Sequence, residues 1–236
     1  MRRARVLGVL AVLAVLLATG GPASAQAWRD LGGAAILHYE LSEAHALDTP
    51  GAAPKDLVLA GVRLHGALGK DTLAYHVGLD LAAGATLRGS GFAYDVALFP
   101  IGVAARLSDT SLVALGAGVG AMGAVGTLDD AATFPIEVIA ELGGGRVRVL
   151  ARARTAFVSG AAGRASGAPH APFGDELDAT LGVRVGRHDD EHGIRSGNGY
   201  FVGATYRELE GTRFAGFVIG YAIDLATPRH SGVPTY

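Results

Sequence analysis

The chain has no cysteine in its 236 residues. That excludes a disulfide framework and leaves no thiol for lipid attachment behind an export signal. Lysine is almost missing as well, with Lys55 and Lys70 the only two. A soluble β-protein of this size covers its outer face with charge, lysine above all at sheet edges. Here half of the residues are hydrophobic and the mean hydropathy is +0.32. Beyond residue 25 there is no run of about 20 apolar residues, so no transmembrane helix is on offer. There is no basic block either, and the formal charge is −2, which argues against a nucleic-acid partner.

The first 25 residues read as a secretory signal. Met1-Arg2-Arg3-Ala4-Arg5 is a basic start, Val6 to Leu17 is an apolar run, and Ala23-Ser24-Ala25 fits small-residue cleavage. Their removal takes three arginines and moves the formal charge from −2 to −5. The expected organisation is a signal over 1–25, one β-domain over 26–225 and a tail over 226–236.

The most informative stretch is Phe134 to Phe157. Phe134, Ile136, Val138, Ala140 and Leu142 alternate with Pro135, Glu137, Ile139 and Glu141. After three glycines, Val147, Val149, Ala151 and Ala153 alternate with Arg146, Arg148, Arg152 and Arg154. Strand side chains alternate with a period of two, so each run has an apolar and a charged face. A Gly144-Gly145 hairpin turn would set Glu141 opposite Arg148 and Glu137 opposite Arg152.

Similar alternation recurs along the chain. Gly33 to Leu41 is a first strand. Leu57 to Leu68 sets Val58, Ala60, Val62 and Leu64 against Gly61, Arg63 and His65. Leu73, Tyr75, Val77, Leu79 and Leu81 oppose Ala74, His76, Gly78 and Asp80. From Phe92 the parity switches at Phe99-Pro100, which predicts a bulge within one long strand. Ser111 to Ala121 is another strand, with a loop to about Ala132. Leu177 to Val185 sets an apolar row against Asp178, Thr180 and Arg184. Gly199 to Arg207 and Arg213 to Leu225 complete the set. The count is about ten, with eight as the alternative. The links at 69–71, 108–110 and 143–145 are short and most others are long, while the link at 188–198 is long where a short one is expected.

Backbone in lipid must satisfy its own hydrogen bonds, so only helices or closed barrels span. With no helix available, the expectation is an all-β, closed up-and-down antiparallel transmembrane barrel. Its apolar rows face lipid, and Arg63, His65, His76, Asp80, Glu137, Glu141, Arg148, Arg152, Asp178 and Arg184 line the lumen as a charge network. Alternation alone also permits the inverse, a soluble exported barrel with an apolar ligand inside.

In this pattern the chain resembles the small single-chain outer-membrane β-barrel proteins of Gram-negative bacteria. Gly216, Phe217, Ile219, Tyr221 and Ile223 on the last strand are similar to the signal that the barrel-assembly machinery reads in that family. The resemblance implies export to the outer membrane, the lipid bilayer and that machinery as partners, and a monomer. The expected role is non-enzymatic: structural, or a narrow passive pore.

No catalytic residue, cofactor or metal ligand set is expected. His188-Asp189-Asp190-Glu191-His192 matches no metal spacing and reads as a solvated connection. Ser196 with His192 and Glu191 offers a hydrolytic reading, that of a lipid-modifying barrel enzyme, without a nucleophile motif. Gly116 to Gly120 is glycine-rich but opens no helix, so it is not a phosphate loop. His65 and His76, on one hairpin, are expected to meet on the lumen face as a hydrogen-bonded pair, with a metal or proton-linked role the alternative.

Overall fold

In the computed structural model the described residues are 32–47, 56–70, 72–86, 91–108, 111–124, 128–144, 147–158, 176–186, 199–209 and 212–224. They form ten strands: β1 (Gly32–Ala46), β2 (Asp56–Lys70), β3 (Leu73–Thr86), β4 (Gly91–Ser108), β5 (Ser111–Ala124), β6 (Leu128–Gly144), β7 (Val147–Val158), β8 (Glu176–Gly186), β9 (Gly199–Leu209) and β10 (Thr212–Asp224). Each pairs antiparallel with its chain neighbours, and β1 pairs with β10 to close the barrel. Eight strands is therefore the wrong alternative. The expected signal, the tail, the 188–192 cluster and Ser196 all lie outside the described residues.

Alternation decides which side of the wall each residue takes. Tyr39, Leu41, Leu98, Ile101, Phe134, Leu181, Tyr200, Val202, Phe217 and Ile219 are exposed on the outside. The polar members of the same strands are buried inside. The inverted arrangement, with the apolar face around an internal ligand, is thereby overturned.

On β10 the outward positions Ala215, Phe217, Ile219, Tyr221 and Ile223 carry no charge, and the next residue outward is Arg213. On β1 the outward row passes from Tyr39 and Leu41 to Glu43 and His45. The apolar belt thus ends in a polar rim at the end of the barrel where β1 joins β2. At the opposite end Tyr39, Tyr221 and Tyr200 stand side by side on β1, β10 and β9. The last two rings pack edge to face with centroids 5.0 Å apart.

The bulge falls where the parity switch predicts it. The register of β4 against both neighbours slips at Phe99–Ile101. Phe99 continues the inward row of Asp95 and Ala97 and is fully buried, and the extra residue lets Ile101 take up the outward row that Leu98 left. The Tyr75 hydroxyl donates to the Pro100 carbonyl from the neighbouring strand.

Three expectations need correction. The β6–β7 hairpin pairs Gly144 with Val147, so Gly144 belongs to the ladder and not to a Gly144-Gly145 turn. The register moves by two, which keeps the faces but puts Glu137 opposite Arg154 and Glu141 opposite Leu150. Gly143 takes the positive φ, +133°, and a Cβ there would lie 2.8 Å from the Val147 carbonyl oxygen. Second, β1 runs on to Ala46, because its hydrogen bonding to β2 and β10 continues after its outward row turns polar. Third, β5 and β6 reach Ala124 and Leu128, so their link is short and not a long loop.

Candidate functional site: the barrel lumen

A narrow barrel leaves an interior that side chains can fill. Here two apolar clusters sit toward its ends. Ala67, Ala74, Ala104, Leu112 and Phe201 pack near the β2–β3 turn side. Ala44, Leu57, Leu59, Ala93, Met122 and Phe214 pack near the β1–β2 link side. Gly182 makes room for the Phe201 ring, since a Cβ there would lie 2.4 Å from Cε2.

The ten residues picked from the sequence all lie on the lumen side. They are joined by Glu40, Asp95, Arg154 and Arg207. These four stand on the same parity rows, and the sequence already places Arg154 on the charged face with Arg148 and Arg152. Asp80 is the hub. Its Oδ2 lies 3.1 Å from Arg63 Nη1, 3.5 Å from Arg152 Nη1 and 3.8 Å from Arg154 Nη1, and its Oδ1 lies 3.1 Å from His65 Nε2. Arg63 Nε also donates to Glu40 Oε2 at 2.6 Å. Asp178 Oδ2 accepts from Arg152 Nη2 at 3.2 Å and Arg207 Nη2 at 2.5 Å. Asp95 accepts from Arg154 and lies 3.6 Å from Arg207 Nη2.

These contacts cross the lumen as well as running along the wall. Asp80 on β3 meets arginines of β7, and Asp95 on β4 meets Arg207 of β9, the strand facing it in a ten-strand ring. Two cavities between the side chains measure about 20 and about 30 Å³. Each has room for roughly one or two waters.

A second group lies nearer the β6–β7 turn. Glu141 Oε1 accepts from Arg148 Nη1 at 3.1 Å and also from Arg184. The sequence pairs Glu141 with Arg148, and the two do meet, though diagonally. Glu141→Ala removes the one oxygen that both buried guanidiniums share. The expected cost is about 1–3 kcal/mol in urea unfolding of the detergent-folded protein. Adding Arg148→Ala should recover only part of it, because Arg184 still loses its partner oxygen. Strictly additive losses would show that the contact carries no coupling.

Glu137 departs from the expected pairing. It contacts no Arg152. It faces His65 and His76, whose rings stack with centroids 5.5 Å apart and 5° between planes. The sequence places the two histidines on one hairpin face. It gives no sign that β6 brings a carboxylate to them from across the lumen.

No family model and no curated protein sequence matches the chain. Among solved structures it is similar to the translocator domain of the autotransporter NalP from Neisseria meningitidis. The identity is 12%, over 94% of this chain and 95% of that one, with a TM-score of 0.37. The superposition is loose, and the barrel assignment here stands on the closed hydrogen-bond ladder.

Proposed function

We propose that the protein is a non-enzymatic outer-membrane β-barrel of structural type, whose lumen is sealed by its own side chains. The observation that carries this reading is the trans-lumen set of Arg–carboxylate contacts centred on Asp80. A water-filled pore keeps its charges on the wall, whereas these reach across and neutralise one another. Phe99, Phe201 and Phe214 add apolar bulk to the same interior. The uncharged outer belt supports the membrane location, because about 9–11 residues of tilted strand cross a bilayer, and β10 supplies that length.

The test is planar-bilayer recording of the refolded barrel. The wild type should be electrically silent, apart from brief flickers. Combined Asp80→Ala and Asp178→Ala should raise the frequency of openings, by freeing the arginines to fold back against the wall. A steady ohmic conductance from the wild type would replace the sealed barrel with a narrow pore.

A further inference from the structure

We propose that His65, His76 and Glu137 form a divalent transition-metal site of the zinc class inside the lumen. His65 comes from β2, His76 from β3 and Glu137 from β6. One ligand atom can be chosen from each residue so that all three lie within 4.8 Å of one another. Glu137 Oε1 lies 3.5 Å from His65 Nδ1 and 3.8 Å from His76 Nε2. Tetrahedral coordination with bonds near 2.0–2.1 Å sets ligand atoms about 3.4 Å apart, so the two carboxylate–imidazole distances need only a small contraction.

Proton bookkeeping points the same way. On the far side of each ring the partner only accepts. His65 Nε2 lies 3.1 Å from Asp80 Oδ1, and His76 Nδ1 lies 3.2 Å from the Gly66 carbonyl oxygen. Each far nitrogen therefore donates, and a neutral imidazole has one N–H. In the neutral form that a metal requires, His65 Nδ1 and His76 Nε2 are the lone pairs turned toward the Glu137 carboxylate. Glu137 is fully buried, and neither of its oxygens accepts a hydrogen bond. A buried carboxylate without a donor is a rare arrangement that calls for a cation. Far nitrogens tied to a carboxylate and a backbone carbonyl are the supporting contacts that metal-bound histidines make. Two imidazoles and one carboxylate favour zinc-class ions over calcium or magnesium, which take oxygen ligands.

Glycines on the wall leave room for the two histidines. A Cβ on Gly78 would lie 2.9 Å from His65 Nδ1, and one on Gly102 would lie 3.0 Å from His76 Cδ2. A bound ion would staple the β2–β3 hairpin to β6 across the lumen, and its burial means loading during folding.

The experiment is refolding of the full chain, without an affinity tag, from denaturant into chelator-treated detergent, with and without one equivalent of Zn²⁺ or Co²⁺. Folding is checked by heat-modifiable gel migration, and bound metal is counted after desalting. The expected result is one ion per folded chain, tetrahedral Co²⁺ absorption, and at least about tenfold weaker retention in Glu137→Gln. His188→Ala with His192→Ala should leave retention unchanged. His76→Gln serves as the second variant if Glu137→Gln does not fold. Folded wild type without stoichiometric metal overturns the proposal. So does retention that survives both lumen variants, or that disappears with His188 and His192.

Discussion

Asp178→Ala should lower the unfolding free energy of the folded barrel by about 3–5 kcal/mol, the usual cost of removing one partner from a buried ion pair. Asp178 is 1% exposed, and its Oδ2 takes N–H groups from both Arg152 and Arg207. Without it the two guanidiniums share one carboxylate fewer in a closed interior. The lower end of the range is expected, because Arg152 keeps Asp80 at 3.5 Å and Arg207 keeps Asp95 at 3.6 Å. The measurement is urea unfolding in detergent, followed by far-UV circular dichroism and by loss of fast gel migration. Asp178→Ala with Arg207→Leu should regain part of the loss, since an apolar pair of similar volume can replace a buried ion pair at little cost. A loss below about 0.5 kcal/mol, the range of an uninvolved surface site, would mean that the interior is wet enough to screen the pair.

The second large effect lies on the other side of the wall. Ile219→Arg should destabilise the barrel by about 2–4 kcal/mol in a lipid bilayer, as charges do at the midplane of such barrels. Ile219 is 55% exposed and stands in register with Leu41 on β1 and Val202 on β9, themselves 48% and 57% exposed. The three make one apolar surface across the closing seam. In water, an exposed isoleucine replaced by arginine changes stability by no more than about 0.5 kcal/mol, or improves solubility. Parallel titrations in vesicles therefore separate a lipid-facing wall from a water-facing one. A neutral Ile219→Arg in the bilayer would sink the membrane reading, whatever Asp178→Ala does.

Much of the wall could be read from the sequence, because a period of two needs only local information. Val58 and Leu64 against Arg63 and His65 is enough to say which side each takes. The parity switch at Phe99-Pro100 located a bulge for the same reason. What failed was whatever the period does not encode. Three consecutive glycines at 143–145 offer several equivalent turns, and a slip of two leaves both faces intact, so nothing in the pattern could choose. Alternation also fades where both faces are Gly and Ala, as in Ser111 to Ala124, and the strand end was missed there. The lumen contacts divide along the same line. Parity put Glu137, His65 and His76 indoors, but it carries no information about height or azimuth. Which carboxylate meets which cation depends on strand tilt and on closure, and Glu137 went to two histidines instead of Arg152.

The seam itself sets a timetable. β1 and β10 are joined from Ala46–Phe214 to Ile36–Asp224, pairs separated by 168 and 188 residues in the chain. No other adjacent strands are so far apart. Until the last strand has arrived, the ribbon carries two unsatisfied hydrogen-bonding edges, which invite pairing with other chains. Contacts of such long range form late and slowly, after the entropy of a very large loop has been surrendered. The ring therefore closes only after the last strand has been made. A truncation that removes β10 would leave nine strands with open sides, prone to aggregate instead of forming a smaller version of the same protein.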